Sequence, residues 1–205
     1  MQPSIHLICK SVHFSAMLRA ELQEYGLEIS DNAEYIVLVE SSLGSAVTEL
    51  ENSEVDPSKV IVFTPNPCLE YCQDVLDMGV AGLIFNSLTS HTIISALELV
   101  TNGQQFRILP NSPNAGLSTI ERQVLMLVAR SFEDKEISVY FEKRSDRTIQ
   151  KDVMCIFEKL RSTYPDLRFN NRSCLVHYYH GLWSNIRYNC LTSKRIRENR
   201  AKNRS

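Results

Sequence analysis

The sequence predicts a two-part chain: an α/β N-terminal half with a parallel sheet, shortened after its first helix, and an all-α C-terminal half built around a helix-turn-helix. Three observations lead there. Over residues 1–107, short apolar runs of strand length alternate with segments of helical periodicity. A stretch with two prolines and a glycine, ILPNSPNAG at 108–116, interrupts that pattern and reads as a linker. Beyond Gly116 the strand signals stop and only helical periodicity remains.

The strands are Ile5–Cys9, Tyr35–Val39, Val60–Thr64 and Gly82–Phe85. They are apolar on both faces, as the strands of a sheet covered on both sides must be. The helices between them are Phe14–Tyr25, Ser45–Glu51, Leu69–Met78 and Ser90–Val100. One interval breaks the alternation. Nine residues separate Tyr25 from Tyr35, too few for a strand, a crossover helix and a return, since a whole crossover takes about 10–12 residues or more. A strand at Leu27–Ile29 therefore reaches Tyr35 without a helix. Asn102-Gly103 ends the last helix of this half, because glycine accepts the left-handed conformation of a helix terminus.

In the second half, Ser118-Thr-Ile-Glu121 has the form of a capping box and starts a helix to about Ala129, with Val124, Leu125 and Val128 inward. A short helix over about Lys135–Phe141 follows. Ser145 caps a longer one, to about Arg161. There Ile149, Val153, Ile156 and Leu160 form one stripe, and Arg147, Gln150, Lys151, Met154 and Glu158 lie opposite. A last helix runs from near Asn171 to about Leu182. The tail TSKRIRENRAKNRS carries six basic residues and one acid, has no core pattern, and is expected to be disordered. The domains are thus 1–107, a linker 108–116, 117–185, and a basic tail 186–205.

Composition narrows the function classes. The chain has 205 residues and is 43% hydrophobic and 22% charged, as an ordinary globular protein is. It has no uncharged apolar run of about 18 residues, so no membrane span or membrane partner is expected. The N-terminus lacks a basic segment and a cleavage site, so no signal peptide is expected. The cysteines sit mostly in apolar runs and suit reduced thiols in a cytoplasmic protein. Net charge is −2, but it is unevenly split. Residues 1–110 carry 4 basic and 14 acidic residues, a net of −10; residues 111–205 carry 18 and 10, a net of +8. Such asymmetry suggests two modules with different partners, and the basic one suits nucleic acid.

Two helices joined by a short turn, the second showing polar and basic side chains away from its buried stripe, form a helix-turn-helix. The second helix can enter the major groove, where glutamine bridges adenine and lysine reaches guanine. A plain helical bundle with a solvated basic face fits the pattern equally. The residues themselves go further. LSTIERQVLMLVA, then KEI, then SDRTIQKDVMCIFEKL resembles the DNA-binding domain of the LuxR/NarL/FixJ family of bacterial transcription regulators. Leu117, Glu121, Val124 and Leu125 match its first helix, Ile137 its scaffold helix, and Ser145, Thr148, Ile149, Val153, Ile156, Lys159 and Leu160 its recognition helix. Asn171-Arg172-Ser173 matches the start of its last helix. The resemblance covers 117–183 and implies DNA contacts from Lys135, Ser145, Arg147, Thr148, Gln150, Lys151, Met154 and Lys159. Gln150 and Lys151 would face bases; Arg147 and Lys159 would lie near the backbone. Three features depart from the family. The turn FEKRS is one residue longer than usual, Asp152 replaces a usual histidine, and Ser131 replaces a usual glycine.

The first half is similar to the receiver domain that precedes this module in response regulators, most clearly over GVAGLIFNSLTSHTIISALELVTNGQQFRILP. Receiver chemistry needs an acidic pair for Mg²⁺, an aspartate to accept phosphoryl, a lysine and a Ser or Thr. The resemblance places the acidic pair at Ser11 and Val12, the acceptor at Val39 with Glu40 beside it, the lysine at Asn86 and the hydroxyl at Thr64. Only Thr64 fits. The half is therefore expected to be a degenerate receiver, neither an enzyme nor a phosphoryl acceptor. A register one residue later would put Glu40 at the acceptor position as a fixed negative charge.

Smaller signals are ambiguous. Cys68 and Cys72, four residues apart, read as packed helix residues rather than a metal pair. His177 and His180 lack a third ligand. Tyr178, Tyr179 and Trp183 suit a subunit interface or a core equally. No cofactor, metal or catalytic set is expected. The expected function is a sequence-specific, DNA-binding transcription regulator acting independently of phosphorylation. Its partners are double-stranded promoter DNA and a second copy or a related response regulator, paired through the pseudo-receiver. The alternative is a co-regulator or antagonist that works mainly by binding a related regulator.

Overall fold

The computed structural model describes residues 4–186, in two compact units that divide between Asn111 and Ser112. Of the expected tail 186–205, Ile186 is buried and residues 187–205 lie outside the described residues.

The first unit is a six-stranded sheet with strand order β2-β1-β3-β4-β5-β6, every neighbouring pair parallel. Its elements are β1 (Ser4–Cys9), α1 (Val12–Glu24), β2 (Glu28–Ile29), β3 (Tyr35–Val39) and α2 (Ser45–Glu51), then β4 (Val60–Thr64), α3 (Leu69–Asp77), β5 (Gly82–Phe85), α4 (Ser90–Thr101) and β6 (Phe106–Ile108). The central strands are apolar runs because both their faces are buried. On one face Ile5, Leu7, Val37, Val39, Ile61 and Ile84 pack against Leu18 and Leu22 of α1 and Ile93, Ala96 and Leu97 of α4.

The short link between β2 and β3 has a simple geometric reason. β2 pairs only with Ser4 and Ile5, and β3 begins opposite Ile5 on the other side of β1. Both strands meet β1 at one level, so residues 30–34 need only round its end. The Ser30 N–H donates to the Ile5 carbonyl at 3.0 Å as they do so. β6 is a correction: its three residues were read as the end of one domain and the start of a linker. It forms beside Gly82, where a Cβ would stand 3.3 Å from the Phe106 carbonyl oxygen, so glycine permits the approach.

The second unit holds α5 (Thr119–Ala129), α6 (Asp134–Tyr140), α7 (Asp146–Thr163) and α8 (Arg172–Tyr179). The Ser118–Glu121 capping box is complete: Ser118 N–H donates to Glu121 Oε2 at 2.7 Å, and Glu121 N–H to Ser118 Oγ at 3.3 Å. Ser131 closes α5 with φ of 68°, the left-handed region glycine favours. The serine therefore carries strain that a glycine there would not. α8 ends three residues before the expected Leu182. Gly181, at φ 70°, turns the chain while Leu182 N–H reaches back to the His177 carbonyl at 2.7 Å. Tyr178 stacks on Trp183 and meets Tyr164 and Phe169 edge-on; the tyrosines and Phe169 are core, while Trp183 stays partly exposed. The Tyr164 hydroxyl also donates to the Pro113 carbonyl at 2.6 Å, tying the expected linker to this unit.

Candidate nucleic-acid interface and the pocket at the sheet edge

α7 is amphipathic about a sharp boundary. Ile149, Val153, Ile156, Phe157 and Leu160 are buried, while Arg147, Gln150, Lys151, Met154 and Glu158 are exposed along the opposite side. Ser145 and Thr148 fix where this helix starts: Thr148 N–H donates to Ser145 Oγ at 3.2 Å. Lys135 is exposed in the first turn of α6. A groove of about 570 Å³ brings Lys135 and Gln150 together with Arg172 and Ser173 of α8. Arg172 was noted only as a helix-start match. It pairs with Asp134 and donates to the Phe132 carbonyl at 2.7 Å, so it is held at the groove wall.

Two charges have unexpected partners. Asp152, which would repel phosphate, is paired with Arg144 from the lengthened turn. The Arg144 guanidinium also lies over the Phe141 ring, 5.8 Å from its centroid. The longer turn and the unusual aspartate are thus two halves of one contact. Lys159, expected near the DNA backbone, bonds Glu121 Oε2 at 2.6 Å and the Gly116 carbonyl at 3.0 Å through its ammonium. It joins α7 to the start of α5. Burial pushes the Glu121 carboxyl up, but Lys159 and the Ser118 donors together hold it below the ordinary range.

In the first unit, a pocket of about 470 Å³ opens at the carboxyl ends of β1, β3 and β4. Here the sequence assignment shifts by one residue. β3 pairs Val39 with Phe63, which sets Glu40 level with Thr64. Val39 packs in the core and also lines the pocket. Glu40 is the buried carboxylate at the strand end, and it accepts from the Thr64 hydroxyl, the Tyr71 hydroxyl and, at 3.0 Å, the Ala46 N–H. The residues lining the pocket after β1 are Lys10 and Ser11, while Val12 points to solvent, 78% exposed. Lys10 is drawn to Glu49 at 2.8 Å. Asn86 is exposed after β5 with φ of 50°. Tyr71 was missed, since nothing local marks a helix tyrosine as a partner of a distant glutamate. Burial and then the neighbouring carboxylate raise its hydroxyl far above the ordinary range, so it stays a donor. Cys72 lies beneath, its thiol pushed up to about 12, chiefly by burial.

No protein-family model matches the chain, and no curated protein matches its sequence. Solved structures do match. One, of two RcsB dimers bound to two parallel DNAs, is 19% identical, covers 88% of this chain and 99% of that one, and superposes with a TM-score of 0.53. A complex of the two-component response regulator RcsB with DNA is 17% identical over 88% and 99%, with a TM-score of 0.51. RcsB from Salmonella enterica serovar Typhimurium, bound to a promoter with phosphomimetic beryllofluoride, is 17% identical over 89% and 100%, with a TM-score of 0.50. The fold is that of a two-domain response regulator. The first unit is its receiver fold, and the second its helical output domain. Among the described residues, no helix is long and apolar enough to cross a membrane.

Proposed function

We propose that the chain is a sequence-specific DNA-binding transcription regulator whose receiver unit works without phosphoryl transfer and serves in pairing with a second copy or a related response regulator. The exposed stripe Arg147, Gln150, Lys151 and Met154 carries this reading. It stands opposite a fully apolar stripe on a helix whose start is fixed by a serine cap, the arrangement that presents side chains to base edges. Gln150 and Lys151 read bases; Arg147 and Lys135 meet phosphates and set register. That RcsB is seen on DNA with the same fold supports it.

The pocket supports independence from phosphorylation. Lys10 and Ser11 supply no hard carboxylate oxygens for Mg²⁺. Glu40 is already saturated by Thr64, Tyr71 and Ala46. The reading is tested by titrating salt against binding to fragments of the neighbouring promoter region. Contact with about 6–10 phosphates implies a loss of about 10³–10⁵ in affinity between about 50 and 200 mM salt. A nearly flat response overturns groove docking.

A further inference from the structure

A two-sided parallel sheet needs cover on both faces. In the receiver unit α1 and α4 cover one. The other has only α2, seven residues long, and α3, because no helix follows β2. The consequence is a groove of about 450 Å³ over the middle of the sheet. Its floor is Ile8 of β1, Ile36 and Leu38 of β3 and Val60 of β4, with Leu50 and Val55 along its side. Ile8 sits opposite Leu38 in the ladder, so these side chains share one face. Ile8 and Ile36 stay partly exposed although both lie on interior strands.

The rim is acidic. Glu49 lines the groove, and Glu51, Glu54 and Asp56 beside it are exposed. The two nearby bases are already paired, Lys10 with Glu49 and Lys59 with Glu34, each at 2.8 Å. Five ladder residues span about 16 Å, the length of about 11 residues of helix.

We propose that this groove is a docking site for an amphipathic helix of another protein, with aliphatic anchors at i, i+3 or i+4, and i+7 and with Lys or Arg on its flanks. The apolar floor takes the anchors and the acidic rim takes the basic flanks, the helix-in-groove mode of recognition. The occupant lies where a crossover helix would complete the sheet. A second copy is a poor occupant, because each receiver half carries 4 basic and 14 acidic residues and two such rims repel. The inference does not depend on DNA binding.

The test uses the full chain and a labelled synthetic peptide of about 15 residues, long enough to hold a helix, with leucines at the stated spacing and Lys/Arg flanks. A twin peptide carries Glu flanks. Anisotropy should show saturable binding of the basic peptide, weaker as salt rises, and about tenfold weaker binding of the acidic twin. Methyl signals of Ile8, Ile36 and Leu38 should shift, while those of Ile84 and Ile93 on the opposite face stay put. Glu51→Lys with Glu54→Lys, both at exposed positions, should weaken binding with an unchanged melting temperature. Thr48→Trp, also exposed, should block the groove. Binding indifferent to flank charge, shifts confined to the α1–α4 face, or no saturation overturns the proposal. So does displacement of the peptide by a second copy of the chain or by a peptide of residues 187–205.

Discussion

Replacing Glu40 by alanine should destabilise the receiver unit severely, and the structure says by how much. The carboxylate accepts hydrogen bonds from Thr64, Tyr71 and Ala46. After truncation the Ala46 N–H keeps an acceptor, the Tyr71 hydroxyl oxygen at 3.1 Å. Thr64 Oγ1 still accepts from Asn66 N–H at 3.0 Å, but its own proton and that of Tyr71 lose their acceptor in a buried site. Each unsatisfied buried donor costs about 1–3 kcal/mol, so the two together cost about 4 kcal/mol. In a domain of about 100 residues that is a fall of roughly 20 °C in Tm. Glu40→Gln can keep its oxygen toward Tyr71 and Ala46 but turns its amide on the Thr64 hydroxyl, and should cost about 1–2 kcal/mol. Tyr71→Phe removes one donor and should cost about 1 kcal/mol alone. It should cost much less in the Glu40→Ala background, because the two residues share one network. Calorimetry of the full chain, following the receiver transition, reads all four values. If Glu40→Ala melts where the parent does, or higher, the carboxylate is an uncompensated buried charge and not the tie between β3, β4 and α3.

Glu121 should make the helical unit acid-sensitive. Its folded pKa is depressed, so its stabilisation is present above the ordinary value of 4.5 and lost as pH falls through the folded value; urea midpoints between about pH 6 and pH 3 should drop in the parent and flatten in Lys159→Met. Arg144→Ala should weaken DNA binding about fivefold for all sequences by leaving Asp152 uncompensated near phosphate, and Asp152→Asn in that background should restore it; a gel shift without rescue refutes the pairing's role. Lys151→Ala should cost about 1–3 kcal/mol at the preferred site and relax base preference, whereas Arg147→Ala should weaken all sites alike; unchanged preference in Lys151→Ala would mean a different docking. Acetyl phosphate with Mg²⁺ should leave no acid-labile phosphate on the chain, read by radiolabelling, and any such label would restore a working acceptor.

What the sequence could and could not announce follows from how far apart the interacting residues are. Tyr35–Val39, Val60–Thr64 and Gly82–Phe85 are strands to the residue, because each is an unbroken apolar run with polar or turn residues at its ends. The Ser118 box and the Ser145 cap are local contacts over three residues and equally legible. Pairing register is not local. A slip of one residue turns every side chain to the other face, and it is the β3–β4 ladder that sets Glu40 level with Thr64. β6 depends on Gly82, more than twenty positions earlier, and Lys159 on Glu121, 38 residues away. The Arg144–Asp152 pair spans eight residues across a turn. Both members stood out as departures, but only the folded turn joins them.

Those departures share a physical logic. Mg²⁺ and a phosphoryl group bring opposite charges to a receiver pocket and take them away again. Here a lysine stands at the mouth and is held by Glu49, while Glu40 is locked by three donors. In the output domain, a carboxylate near the recognition face is closed by an arginine a turn away. The sheet face that a crossover helix would have filled keeps an apolar groove of about 450 Å³. A basic-flanked helical peptide should fill this groove in the full chain, and Thr48→Trp should abolish that binding while leaving DNA affinity intact.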